Sequence, residues 1–167
     1  MITTQTHVGL LDLLASVIDY PSPELPDRAR ECAAAFEAGS SPGAREMRRF
    51  AGFVAQSDLN KLEELYTATF ELSPVCYPYI GYQLFGDTYK RGEFLAQLNA
   101  RYRENGFEAP GDLPDHLGAI LRYVAHAWDA DLVVEGAIPS LEKMVAQLEA
   151  NPYADLLRAI LAVLRKQ

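Results

Sequence analysis

The sequence of 167 residues carries 15 basic and 23 acidic residues, a formal charge of −8, and 49% of its residues are hydrophobic. A chain of this length and apolar content suits one domain with a sizeable core, and we expect residues 1–167 to form one helical domain. The negative charge argues against nucleic acid and favours a basic or apolar partner.

Metal, disulfide and membrane signals are weak. Cys32 and Cys76 stand alone, without metal-like spacing to any histidine, and His116 and His126 fall on different faces of a helix. The N-terminus lacks a basic signal-peptide region, and no apolar run reaches the ~20 residues that span a bilayer. We expect a cytoplasmic protein with no metal site, no cofactor and no stable membrane insertion.

The first half of the chain predicts four helices. The first is apolar nearly all round, which is typical of a central buried helix, and the others carry ordinary apolar stripes. They run from Val8 to Ile18, from the proline cluster ending at Pro26 to Gly39, from the turn at Gly43 to about Gln56, and from a cap at Ser57 or Asp58 through Phe70.

The second half predicts a loop and a short helix between Leu72 and Gly86, where Pro and Gly alternate with aromatics. Further helices are expected from an N-cap at Asp87 to Asn105-Gly106, from Pro114 in a first turn to Trp128, from about Asp131 with a bend or restart at Pro139, and from Asn151-Pro152 to the end. Since no stretch alternates apolar and polar residues, we predict an all-α bundle of about seven to eight helices.

Acidic residues concentrate in one quarter of the chain, residues 104–135. This segment holds seven acidic residues and one basic residue, Arg122, for a local charge of −6. Such a surface would attract a cationic peptide, although it is also explained by solubility alone. The acidic residues are Glu104, Glu108, Asp112, Asp115, Asp129, Asp131 and Glu135.

Polar and aromatic residues near this segment allow two interpretations. Asp112 and Asp115 suit helix capping, but Asp115-His116 could also hydrogen-bond a ligand at a helix N-terminus. The aromatic residues of the preceding segment suit either the core or a groove that accepts a basic amphipathic helix. Asp87 and Arg91 lie four residues apart, which predicts a structural ion pair. The aromatics are Tyr77, Tyr79, Tyr82 and Phe85.

Several short blocks in this region resemble the nitrate reductase delta subunit (NarJ) family, within the TorD/DmsD group of molybdoenzyme assembly chaperones. The blocks are Pro74, Tyr79-Ile80, Leu84-Phe85-Gly86-Asp87, Arg91-Gly92 and Pro114-Asp115-His116. The resemblance implies a TorD/NarJ-like fold and a cytoplasmic, non-enzymatic chaperone. Its partner would be the catalytic subunit of a molybdopterin oxidoreductase of nitrate reductase type, bound through a basic N-terminal peptide while the molybdenum cofactor is inserted.

The resemblance also implies a set of partner-binding residues. Asp112, Pro114, Asp115 and His116 would contact the peptide or position the loop that does, while Tyr79, Tyr82 and Trp128 would form an apolar wall. We expect a monomer or weak dimer. Tyr77 stands where the family pattern suggests serine, so selenate, chlorate, perchlorate or dimethylsulfide enzymes stay open as clients. Two other functions also stay open, a structural subunit of a respiratory complex and a small enzyme with Asp115-His116 as acid/base pair.

Overall fold

The computed structural model describes residues 2–111 and 113–166, which form nine α-helices and two short π-helical segments without a β-strand. The predicted all-α class is confirmed, with nine helices in place of about seven to eight. The helices are α1 (Ile2–Ile18), α2 (Leu25–Ala38), α3 (Ala44–Ala55), α4 (Leu59–Tyr66), α5 (Ile80–Phe85), α6 (Tyr89–Glu104), α7 (Leu117–His126), α8 (Ile138–Leu148) and α9 (Tyr153–Arg165), with π1 (Thr67–Glu71) after α4 and π2 (Leu132–Ala137) before α8.

Helix α1 lies at the centre of the bundle, as its apolar pattern predicts. It packs against α2, α7 and α9, and Leu11, Leu14 and Val17 are almost completely buried. Helix α3 packs between α2 and α9, and α8 packs on α9. The buried side chains of these helices join into one hydrophobic core, so the stripes read from the sequence meet as expected.

The capping residues are partly those predicted. Asp58 caps α4 by accepting a bond from the Lys61 amide at 2.8 Å, and Asn151 Oδ1 accepts from the Tyr153 amide at the start of α9. Helix α6 ends as expected, with Gly106 in the left-handed region at φ +64°. The predicted cap at Asp87 is wrong: Thr88 is the N-cap residue, and Arg91 pairs with Asp115 instead of Asp87.

Helix α7 begins three residues later than the sequence predicts, at Leu117 instead of Pro114. The cause is a short antiparallel bridge between Tyr79 and His116. The Ile80 amide donates to the Asp115 carbonyl and the Leu117 amide donates to the Pro78 carbonyl, each at 2.9 Å. These long-range bonds hold His116 in extended backbone, at φ −59° and ψ 138°, which delays the first helical turn. Pro139 lies in the first turn of α8, as the predicted restart requires, and π2 leads directly into this helix.

The described residues form neither a membrane-spanning helix nor a metal-binding group. None of their helices is both long and apolar enough to cross a bilayer. Their His, Cys, Asp and Glu side chains do not gather into a group of three that could hold a metal ion.

Candidate functional site

A cleft of about 560 Å³ opens where the end of α1, the end of α4 and the start of α7 meet. Aromatic rings and polar side chains share its walls, and Pro110, Gly111 and Leu113 border it. We call it the tyrosine cleft. It is lined by Tyr20, Tyr66, Tyr79, His116 and the Asp19–Arg122 ion pair.

The Asp115 carboxylate anchors the floor behind this cleft. Its side chain is completely buried, and Arg91 donates to it through two nitrogens, Nε to Oδ2 at 3.1 Å and Nη2 to Oδ1 at 3.2 Å. The Gly81 amide also donates to Oδ2, at 3.1 Å. Burying a carboxylate is tolerated when an opposite charge and hydrogen bonds satisfy it, and here both do. One side chain therefore joins α5, α6 and the segment before α7.

His116 lines the cleft and caps α7 at the same time. Its Nδ1 accepts a bond from the Gly118 amide at 3.0 Å, so in the neutral ring the proton is on Nε2. Burial lowers the pKa of His116 below its ordinary value of 6.5, and the nearby carboxylates of Asp19 and Asp115 oppose the shift. The ring packs edge-on against Tyr79 with 5.6 Å between centroids. His116 is thus held neutral, with Nε2–H as its remaining donor.

Arg91 connects the two tyrosines that the sequence predicts for the site. Its guanidinium lies 5.3 Å from the centroid of the Tyr79 ring and 5.9 Å from that of Tyr82. Tyr82 also stacks on Tyr77, with ring centroids 4.0 Å apart. Cation–π contact with a partly desolvated arginine stabilises this arrangement by roughly 1 kcal/mol per ring. Tyr79 faces the cleft, while Tyr82 supports it from behind Arg91.

The remaining predicted site residues do not join this cluster. The Pro114 carbonyl accepts from the Tyr102 hydroxyl at 2.7 Å, which places Pro114 against α6. Trp128 is 45% exposed but follows the far end of α7, about 15 Å along the helix axis from His116. Asp112 lies outside the described residues. The structure therefore brings Tyr79, Tyr82, Asp115 and His116 together and separates Trp128 from them.

Two of the carboxylates in the acidic segment 104–135 are neutralised by arginines from another part of the fold. Asp115 is neutralised by Arg91, and Asp129 by Arg101, whose Nη1 lies 2.7 Å from Oδ2. Both arginines come from α6 and precede the segment, which begins at residue 104. The tyrosine cleft is consequently aromatic and polar with a paired charge, and the carboxylates of Asp131 and Glu135 lie at a separate groove beside α6.

Of the six side chains named above for the cleft, the sequence predicted Tyr79 and His116 and missed the other four. Asp19 and Arg122 are 103 residues apart and bond through two nitrogens, at 2.6 and 3.2 Å. Tyr20, which is half exposed, packs edge-on against Tyr66 at 5.3 Å between centroids. The sequence held a weak indication of this part of the cleft, because Asp19 and Tyr20 directly follow an apolar helix. A large exposed ring is unusual at such a position.

The geometry of Asp115 and His116 does not support acid/base chemistry between them. The Asp115 carboxylate is hydrogen-bonded to Arg91 and Gly81, and the His116 Nδ1 is hydrogen-bonded to Gly118. The atoms that would join the two side chains as an acid/base pair are therefore already occupied. A general base must reach the proton that it abstracts, and a fully buried carboxylate paired with arginine does not. The arrangement suits binding through aromatic surface and a few hydrogen bonds.

The fold and the cleft together define an all-α protein with a partly aromatic cleft between its helices. The sequence model described as the nitrate reductase delta subunit matches residues 36–163, and the chain belongs to this family. A crystal structure of a protein from Archaeoglobus fulgidus, described as a redox enzyme maturation protein, is similar in fold. Its TM-score is 0.65 at 21% identity, and the match covers 96% of this chain and 93% of that one. No curated protein matches the sequence.

Proposed function

We propose that the protein is a cytoplasmic chaperone for the catalytic subunit of a nitrate reductase-type molybdoenzyme. It binds a basic N-terminal peptide of that subunit and keeps the subunit open until its molybdenum cofactor is inserted. The observation that carries this proposal is the family match over residues 36–163. The fold of the Archaeoglobus fulgidus protein, which is described as a redox enzyme maturation protein, agrees with it.

The tyrosine cleft is the proposed peptide site. Its volume accommodates several side chains, and Tyr20 and Tyr79 offer aromatic surface of the kind that dominates binding energy at interfaces. The Nε2–H of His116 can donate to a peptide carbonyl, and Asp19 can accept from a basic side chain. Asp115 and Pro114 act indirectly in this scheme, since they hold the backbone that presents His116. Asp112 stays a proposed peptide contact on the basis of the family resemblance alone.

The chemistry of the site also allows release. Aromatic contacts with a few polar bonds give moderate affinity, and the overall charge of −8 speeds encounter with a cationic peptide. Screening of exposed charges and folding of the client then favour dissociation.

Calorimetry with a peptide that copies the N-terminus of the nearest encoded catalytic subunit tests this function. We expect a micromolar or tighter dissociation constant at low salt and weaker binding at moderate salt. Absence of binding under both conditions would contradict the proposal. Permanent co-purification with a mature enzyme would instead indicate a structural subunit.

A pair of tyrosine variants locates the site. Tyr20→Ala removes a half-exposed ring from the cleft and should weaken peptide binding about tenfold, which is the usual cost of truncating a central aromatic contact. Tyr89→Ala is the matched control, because Tyr89 is 83% exposed at the start of α6 and does not line the cleft. Equal affinities of the two folded variants would place the peptide elsewhere.

A further inference from the structure

A second depression lies beside α6, at the opposite end of α5 from the tyrosine cleft. It encloses about 220 Å³, and its floor is apolar. We call it the α6 groove. Its floor is formed by Leu84, Phe85, Phe94, Leu98 and Leu132, and its rim carries Asp131 and Glu135.

The rim of the α6 groove is acidic after internal pairing is taken into account. Arg101 also lines the groove, but its guanidinium is bonded to Asp129 at 2.7 Å, and this bond is the main reason that its pKa is raised. The formal charges of Arg101 and Asp129 therefore cancel. Asp131 and Glu135 are exposed, and no ion pair within the described residues engages either of them. Two carboxylates thus remain above an apolar floor.

The wall beside these carboxylates is the π-helical segment π2, which contains Glu135 and has Asp131 as its N-cap residue. The wider turn of a π-helix is uncommon and is frequently found at functional sites. Within π2, Leu132 points to the core and lines the floor, while Val134 is 62% exposed. Gly136 lines the floor as well, and a methyl group there would meet Leu132 and Leu84 at ordinary contact distances. The segment combines exposed apolar surface with negative charge.

We propose that the α6 groove is a second docking subsite for the client peptide, which seats one apolar side chain on the floor and holds a neighbouring lysine or arginine at Asp131 and Glu135. This inference rests on the proposed function. An apolar floor under unpaired carboxylates complements a basic amphipathic segment and disfavours an acidic or purely apolar one. Tyr79 at the start of α5 borders the cleft and Phe85 at its end borders the groove, and the helical rise between these two residues is about 9 Å, a distance that a few extended peptide residues span.

The double variant Asp131→Asn/Glu135→Gln tests the subsite by calorimetry with the client peptide. We expect binding about tenfold weaker than wild type at low salt, with a flatter salt dependence, because two local charge contacts are lost. The matched control is Asp12→Asn/Glu31→Gln, which removes the same number of charges from exposed positions in α1 and α2 that line neither the cleft nor the groove. The control should bind within about twofold of wild type.

The outcomes separate the two proposals. If the wild-type protein does not bind the peptide, the proposed function fails. If it binds and the two double variants weaken binding equally, or neither weakens it, the subsite is wrong while the function stands. Amide chemical shifts give a second measurement by NMR, since the bound peptide should shift the signals of Leu132 and Gly136 as well as that of Gly118. Shifts confined to Gly118 would overturn the subsite.

Discussion

One buried carboxylate, Asp115, joins three segments at the back of the tyrosine cleft. Its oxygens accept from Arg91 on α6 and from the Gly81 amide on α5, and its own backbone carbonyl accepts from Ile80. Removing one partner of such a buried pair is costly, because it leaves an uncompensated charge. Asp115 is therefore better understood as the residue that fixes His116 and Tyr79 than as a contact for the client.

Gly81 is required by this arrangement. A methyl group at residue 81 would lie 2.7 Å from Asp115 Oδ2 and 2.9 Å from Phe94 Cδ1, both closer than van der Waals contact. We expect Gly81→Ala to lower the free energy of unfolding by about 1–3 kcal/mol, as overpacking of a rigid site does. Urea denaturation measures the change.

Gly92→Ala is the control for this substitution. Gly92 lies exposed in α6, and an added methyl group there meets no atom within 4 Å. We expect the variant to be more stable than wild type by about 0.5–1 kcal/mol, because alanine favours the helix. A Gly81→Ala protein as stable as Gly92→Ala would show that the Asp115 network tolerates displacement.

At the scale of elements, local rules located the helices well and their N-termini less well. The stripes that fill the core and the glycine stop of α6 follow from short-range patterns, so the sequence was sufficient for them. The start of α7 depends on backbone bonds from Leu117 to Pro78 and from Ile80 to Asp115, which span 39 and 35 residues. The Arg91 ion pair depends on the same approach of segments. Capping rules consider only neighbours, which is why they favoured Pro114 and Asp87.

The His116 cap makes the stability of α7 depend on pH. The pKa of His116 is lowered in the folded protein relative to the ordinary 6.5, so the unfolded chain binds the proton more readily. Stability is then complete above pH 6.5 and falls as the pH drops through the lower folded pKa, with a slope of up to about 1.4 kcal/mol per pH unit. Urea denaturation between pH 5 and 7.5 measures this slope.

Two substitutions distinguish the effect of His116 protonation from the effect of its capping hydrogen bond. His116→Asn keeps a side-chain oxygen for the Gly118 amide but does not titrate, so it should retain most of the stability at pH 7.5 and lose the His116 part of the slope. His116→Ala should lose the slope and, in addition, about 1 kcal/mol at all pH values. A wild-type slope retained in both variants would assign the pH dependence to another group.

At the scale of the whole molecule, the net charge follows from the sequence, but the positions of the charges that remain unpaired do not. The segment 104–135 predicts one acidic, aromatic groove, yet α6 contributes Arg91 and Arg101 to neutralise two of its carboxylates. The tyrosine rings of the cleft and the carboxylates of Asp131 and Glu135 consequently lie at opposite ends of α5. Which surface charges remain unpaired depends on tertiary contacts between α6 and the segment, and no local pattern encodes them.

The family match begins at residue 36, but the core does not. Helix α1 buries Leu10, Leu11, Leu14, Val17 and Ile18 against α2, α7 and α9. Burial of such side chains contributes roughly 1.5–3 kcal/mol each, so their loss approaches the whole stability of a typical domain, about 5–15 kcal/mol. Asp19 and Tyr20 of the tyrosine cleft also precede residue 36.

We therefore predict that a fragment of residues 36–167 lacks a cooperative thermal transition and does not bind the client peptide, in contrast to the full chain. Calorimetric melting and the dispersion of amide signals in a nitrogen–proton NMR spectrum measure the first, and peptide titration the second. Adding a synthetic peptide of residues 1–35 should restore both in part, because the missing apolar face is then supplied in trans. A fragment that melts cooperatively with dispersed signals would mean that α3 to α9 form a core without α1 and most of α2, and that the burial of these two helices adds stability without being needed for folding.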